Sequence, residues 1–357
     1  MHGGNLRWAR ETYKRDSFTD LSANINPYGP PEQVWQALQA HFRGIVHYPD
    51  PACRELRLAA AAKLNMVDES IMAGNGAGEL IYTVIKALEP RKIVIPIPAF
   101  SEYERAAFTV GANISYIKLG AAGWDALEND FQSAWRQYLQ GKDLLVICTP
   151  HNPTGTLLSP EHFQMILEVA GEAGCLVLCD ESFIDFVPDD MRWSARTYLN
   201  ANPHLIVIYS MTKFYSLPGL RLGLAFARPG LINRFEQFRD PWSVNYLAQL
   251  AGIVCLELTD NMFAAPVRVL LHDNKKAFYD GLNVETPGRF RPYRSAVNFV
   301  LIEVLDRPAT DLVQQLALAG VLVRDCTNFK GLDGSFIRIA IKDRSSIINL
   351  LQAISRI

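Results

Sequence analysis

The sequence has no surplus of either charge: 35 lysines and arginines stand against 37 aspartates and glutamates in 357 residues. That balance argues against a nucleic-acid partner, which is usually met by a basic face. No apolar run approaches the roughly 18 residues of a membrane-spanning helix, so no membrane partner is expected. The start, Met1-His2-Gly3-Gly4-Asn5, carries no apolar leader. Six cysteines are scattered without Cys-x-x-Cys spacing, which indicates neither a metal site nor a disulfide framework and suits a reduced, cytoplasmic protein. Internal repeats and low-complexity linkers are missing, as are the dinucleotide fingerprint Gly-x-Gly-x-x-Gly and a Walker lysine.

What remains is a globular chain, 49% apolar, long enough for a large core and two lobes. Pro30 and Pro31 open a helix that would set Val34, Leu38 and Phe42 on one face. Short runs at 93–97, 144–148, 176–179, 205–209 and 222–226 are almost wholly apolar, as in central strands covered on both faces. Helical patterns such as 160–173 fall between most of them. This alternation predicts an α/β layer with a mostly parallel sheet. After about Asp240 the rhythm changes to helices at 246–258 and 263–279, a strand at 296–303, a helix at 311–319, strands at 321–324 and 335–341, and a last helix at 345–354. A smaller α+β lobe is expected there. The expected division is a large lobe at 44–240, with an N-terminal arm and small lobe at 1–43 and 241–357.

Polar residues collect where the apolar runs end, the edge at which open α/β sheets bind ligands. Gly76-Ala77-Gly78 precede the apolar helix of Leu80, Ile81, Val84 and Leu88. Such a turn either exposes backbone N–H groups to a phosphate or is an ordinary glycine turn. Phe100 closes the next run and either stacks on a planar ligand or packs in the core. Asn152, in Thr149-Pro-His-Asn-Pro-Thr-Gly155, is an amide donor or part of a rigid proline turn. Asp180 ends a buried run and needs a cationic partner, since an unpaired buried charge is costly. A protonated pyridine nitrogen would serve. Ser210-Met-Thr-Lys213 then places a lysine in a loop beside small hydroxyls, with Arg221 eight positions on. A lysine amine captures carbonyl cofactors, while Ser210 and Arg221 suit a phosphate. Together these types match the needs of pyridoxal phosphate, with Lys213 and Asp180 as the catalytic pair.

At these residues the chain resembles the fold-type I pyridoxal-phosphate enzymes, close to the histidinol-phosphate aminotransferases. The resemblance covers nearly the whole chain and implies a large domain with a seven-stranded, mostly parallel sheet and a smaller α+β domain. Tyr48-Pro49-Asp50 is similar to a family segment whose tyrosine reaches the cofactor phosphate of the partner subunit, which implies a homodimer with shared active sites. Arg338, in Phe336-Ile-Arg-Ile-Ala340, matches the family's arginine for the substrate carboxylate; alternatively it makes a surface ion pair.

His2-Gly-Gly-Asn5, the segment from Phe18 through Asn24 to Pro27, Thr212-Lys-Phe-Tyr215, Pro241-Trp-Ser-Val-Asn245 and the stretch from Arg324 to Leu332 are similar to the threonine-phosphate decarboxylases of cobalamin biosynthesis. That resemblance implies a phosphorylated amino acid as substrate. His2, Gly3, Asn24 and Arg324 would contact it, with Asn152 and Arg338 at its amino-acid end. His2 could equally belong to a frayed terminus. The implied reaction converts O-phospho-L-threonine to (R)-1-amino-2-propanol O-2-phosphate. Two alternatives stay open: a histidinol-phosphate aminotransferase, and a decarboxylase of O-phospho-L-serine, since one methyl discriminates by only about 1 kcal/mol. A regulator that binds the cofactor without catalysis would carry an added DNA-binding domain, for which neither end of the chain has a pattern. The chain departs from the family pattern in the glycine turn Gly76-Ala-Gly-Glu79, where an acidic or hydroxyl residue often follows the first glycine sooner, at Ser182 in place of the commoner alanine, and at Phe183, where aminotransferases often have tyrosine.

Overall fold

The structure, a computed structural model, describes residues 3–126 and 131–357. Its larger layer is a seven-stranded sheet. In spatial order the strands are Ile71–Gly74, Gly223–Phe226, Leu205–Ser210, Leu176–Asp180, Leu144–Cys148, Lys92–Ile97 and Asn113–Lys118. Gly223–Phe226 runs against both its neighbours, while the five strands beyond it pair in parallel. The apolar runs follow from burial on both faces. Leu145 and Ile147 point into one core layer, and Leu144, Val146 and Cys148 into the other.

The helix Pro160–Ala173 shows how the sequence punctuates this layer. Ser159 caps its start by accepting from the His162 N–H at 3.1 Å, and Pro160 takes the first turn, where a missing N–H costs nothing. Gly174 ends it in the left-handed region at φ 66°. Among the described residues no helix is long and apolar enough to cross a membrane.

The second layer is a four-stranded antiparallel sheet, ordered Arg324–Asp325, Phe336–Ala340, Phe299–Val304 and Phe290–Pro292. Its apolar face packs with residues of Ala264–Glu285, Ala309–Leu318 and Arg344–Ser355. The N-terminal segment joins this layer: Thr19–Asp20 pairs in parallel with Val321–Leu322, and Leu21 is buried in the same cluster.

Several expectations change in detail. The sheet gains Ile71–Gly74 and Asn113–Lys118, which the apolar runs did not reveal. The first has only four residues and ends in glycine; the second is an edge strand with exposed ends. The strand expected at 321–324 divides into two short pieces that pair with different partners. The strand expected from 296 begins at Phe299. Phe42 leaves the helix Glu32–His41 for a 3₁₀ turn and is 55% exposed, so it does not continue the face of Val34 and Leu38.

Candidate active site

The parallel strands end along one edge of the large sheet, and the polar residues gather there. Ser210 ends Leu205–Ser210 and caps the single helical turn Met211–Phe214. Lys213 therefore stands on a helical turn and not in an open loop. The N-terminal segment fixes that turn from outside. The Asn26 backbone N–H donates to the Lys213 carbonyl at 3.0 Å, and Asn26 Nδ2 to the Phe214 carbonyl at 2.8 Å. Desolvation pushes the Lys213 amine down to about 8; the positive charges of Arg338 and Arg221 add to the shift and Asp180 opposes it. A lysine so tuned holds far more neutral amine near neutral pH than an exposed one.

Asp180 is buried at the end of Leu176–Asp180. Tyr103 donates its hydroxyl to Oδ2 at 2.6 Å, and the Ser182 N–H donates to Oδ1 at 2.8 Å. Burial raises the carboxyl above its ordinary range, while the bonds from Ser182 and Tyr103 and the charge of Lys213 pull it back. The group is thus held in one orientation, and a cation in the pocket would favour its charged form. Tyr103 was not singled out in the sequence. Its only signal is its place three residues after Phe100, in the first turn of the helix Ser101–Thr109.

Opposite these groups lie two arginines in direct register on adjacent strands, Arg324 and Arg338. Arg338 Nη1 donates to Asn152 Oδ1, and Nη2 donates to the Ser22 carbonyl at 3.3 Å. Its guanidinium lies 5.2 Å from the Phe299 ring. Its Nε is buried and has no partner among the described residues. Burial lowers Arg338 to about 10. Arg324 Nη2 donates to Asn328 Oδ1 at 2.8 Å, and its guanidinium lies 5.2 Å from the Phe329 ring. Asn24 is buried beside them with Oδ1 unpartnered. Gly3 passes so near Ser22 that an added Cβ would sit 2.2 Å from its carbonyl oxygen. Only glycine permits that approach.

A third cluster is built for an anion. Gly76 takes φ 84°, and a Cβ there would strike Arg221 Nη2 at 2.5 Å. Ala77 and Gly78 follow in the first turn of the helix Gly76–Leu88, where N–H groups lack intrahelical partners. Ser210 Oγ and Thr212 Oγ1 lie 2.8 Å apart on the facing strand end. Glu79, at the end of this turn, accepts from the Asn75 N–H at 2.6 Å. That bond engages its carboxylate at the helix start.

Most of the residues expected from the sequence line one cavity of about 440 Å³. Lys213, Asp180, Asn152 and Phe100 share it with Ser210, Arg221, Ala77 and Gly78. Gly3, Asn24, Arg324 and Arg338 complete it from the smaller layer and the N-terminal segment. Gly76 sits behind Arg221 instead of on the wall. Tyr48 lies elsewhere: it is 83% exposed, with its ring 5.2 Å from that of Trp242. His2 falls outside the described residues. Besides Tyr103, sequence reading gave no individual role to Ser22, Asn328 and Phe329, which also line the cavity, and counted Thr212 only among the small hydroxyls beside Lys213. These donors fit pyridoxal phosphate: an amine, a buried carboxylate, an aromatic ring and an anion cradle that an extra Cβ would obstruct. The guanidiniums of Arg324 and Arg338 on the same wall suit a polar, anionic substrate as well.

Comparison with known proteins gives matches along nearly the whole chain. The family described as aminotransferase class I and II matches residues 16–354. A threonine-phosphate decarboxylase from Salmonella typhimurium is 35% identical over 100% of this chain and 96% of its own length. A solved histidinol-phosphate aminotransferase from Clostridium acetobutylicum is 29% identical, with a TM-score of 0.85 over 94% of this chain and 98% of its own. A solved L-threonine-O-3-phosphate decarboxylase from Porphyromonas gingivalis has a TM-score of 0.82 at 24% identity, over 94% and 98% of the two chains; at that identity it supports the fold alone.

Proposed function

The chain belongs to the class I and II aminotransferase family, and from that premise we propose that it is a pyridoxal-phosphate-dependent decarboxylase of O-phospho-L-threonine. The product would be (R)-1-amino-2-propanol O-2-phosphate, used for a cobalamin side chain. The observation that carries this reading is the pair Arg324 and Arg338, side by side across from Lys213. One guanidinium suits a carboxylate, and the second suits a phosphate. The full-length likeness to a threonine-phosphate decarboxylase favours loss of CO₂ over transamination. Phe183, which lacks a tyrosine hydroxyl, points the same way.

Bound in this cavity, pyridoxal phosphate supplies an aldehyde for amines and a ring that accepts an electron pair from the substrate α-carbon. Lys213 would hold it covalently through its amine. Ser210, Arg221 and the N–H groups of Ala77 and Gly78 would hold its phosphate. Phe100 would cover the ring and Asn152 would donate to its phenolic oxygen. Asp180, oriented by Tyr103 and Ser182, would keep a proton on the ring nitrogen. Arg338 would grip the substrate carboxylate, while Arg324, Asn24, Gly3 and His2 hold the phosphate. Fixing both ends of the substrate decides which α-carbon bond breaks, so remote binding energy orients the reaction. The Lys213 amine would be one donor able to return a proton to the α-carbon.

The reading takes residues 44–240 as the cofactor lobe, and 1–43 with 241–357 as the arm and small lobe. The enzyme would work in the cytoplasm as a homodimer, with Tyr48 completing the partner's phosphate site. Buried, unpaired cysteines are compatible with that compartment. The test offers the purified enzyme O-phospho-L-threonine, O-phospho-L-serine, and histidinol phosphate with 2-oxoglutarate, following CO₂ and glutamate. CO₂ from phosphothreonine without glutamate is expected. Glutamate from the third mixture, with no CO₂ from the first two, would replace this function by transamination.

A further inference from the structure

The loop from Cys326 to Leu332 leaves the small sheet and crosses to the large one. On its inner side Asn328 accepts from Arg324 at 2.8 Å, and Phe329 lies under that guanidinium. On its outer side Lys330 Nζ contacts Glu104 Oε1 at 2.5 Å and donates to the Tyr116 hydroxyl at 2.7 Å. It also sits 4.1 Å from the centre of the Tyr116 ring. The Tyr116 hydroxyl donates in turn to Glu104. Gly331, at φ 92°, lies so near the strand end that an added Cβ would be 3.2 Å from Ile97 Cδ1. The loop is thus fastened to the large layer one residue beyond the ring that supports Arg324.

Glu104 belongs to the helix Ser101–Thr109, which starts at Phe100 and carries Tyr103. That element already serves the cofactor side through the Tyr103 bond to Asp180. The Lys330 cluster adds a tie from the same helix to the residues around Arg324. Burial works against charge on Glu104, but its bonds to Lys330 and Tyr116 outweigh that and keep its carboxyl below the ordinary range.

We propose that Lys330, clamped by Glu104 and Tyr116, is a positioning residue: it holds the Asn328–Phe329 support so that Arg324 meets the phosphate of the substrate. Lys330 touches neither substrate nor cofactor. It acts by joining the two layers across the mouth of the cavity. The inference rests on the reading that Arg324 binds a substrate phosphate.

Half-exposed ion pairs are weak singly but gain when several groups form one network. Lys330→Met is therefore expected to raise KM for O-phospho-L-threonine about fivefold, with kcat, bound cofactor and visible spectrum near those of the parent enzyme. Lys330→Arg should restore KM, and the exchange Lys330→Glu with Glu104→Lys should recover much of it. High salt should narrow the difference between parent and Lys330→Met, because screening loosens the clamp in the parent alone. A Lys330→Met enzyme with a lower melting temperature but the parent KM would overturn the proposal, as would equal losses in kcat and cofactor content. Arg324→Gln is the separate control on the underlying reading. If it retains the preference for phosphorylated over unphosphorylated threonine, the phosphate assignment itself fails. If that preference is lost while Lys330→Met keeps the parent KM, only the clamp is wrong.

Discussion

Lys213 can capture a carbonyl only as a neutral amine, so its environment sets when the site can load. An exposed lysine titrates near 10.4; here desolvation, then Arg338 and Arg221, bring the amine down to about 8. Below that pH the ammonium form dominates, and above it the free amine does. Reconstitution of cofactor-free enzyme with pyridoxal phosphate should therefore accelerate as pH rises and level off above about 8. Removing a neighbouring positive charge favours the ammonium, so Arg338→Gln should move that midpoint upward. Stopped-flow absorbance would follow both enzymes. A parent midpoint near that of a free lysine, or an unmoved midpoint in the variant, would show that these neighbours do not tune the amine.

At the scale of elements, the glycine turn before Gly76–Leu88 separates strain from contact. Gly76 is left-handed and its missing Cβ makes room for Arg221, whereas Gly78 has a negative φ and open space around it. Alanine at 76 meets a backbone cost of about 1–2 kcal/mol and displaces Arg221. Alanine at 78 replaces a helical glycine and gains up to about 1 kcal/mol. Calorimetry on the cofactor-free enzyme should show Gly76→Ala melting several degrees lower and Gly78→Ala unchanged or higher. Equal destabilisation by both would locate the requirement in the glycine content of the turn instead of in its conformation. Such local features explain what was legible in advance. Central strands announce themselves because burial on both faces demands unbroken apolar runs; Asp180 closes one of these strands, and Asn152 and Lys213 follow shortly after two others. The edge strand Asn113–Lys118 has exposed positions and no such run. Tyr103 reads as one more aromatic on a helix until the fold sets it against Asp180, 77 positions away in sequence. The Lys330 clamp joins residues more than 200 positions apart, a contact that no local pattern encodes.

At the scale of the whole molecule, several large apolar side chains stand exposed on and around the helix Glu32–His41. Trp35, Phe42, Ile45 and Val46 are all at least half exposed, and the Tyr48 ring lies tilted 5.2 Å from that of an exposed Trp242. The elements that carry the first four, Glu32–His41 and Phe42–Val46, pack with each other and with the helix Tyr246–Glu257. Exposed apolar residues gathered in this way suit an interface, and the proposed homodimer would set a second copy of the chain over them. In a two-fold dimer with exchanged tyrosines, each site takes Lys213 from one protomer and Tyr48 from the other. That arrangement makes a prediction that no monomeric site can meet. Tyr48→Ala and Lys213→Ala are each expected to be impaired as homodimers. Unfolded together and refolded as a mixture, they form hybrids in which one of the two sites carries both native residues. Random pairing then restores about a quarter of the parent sites, measurable as CO₂ release. A mixture no more active than the average of its two components would mean that Tyr48 serves its own protomer's site or none.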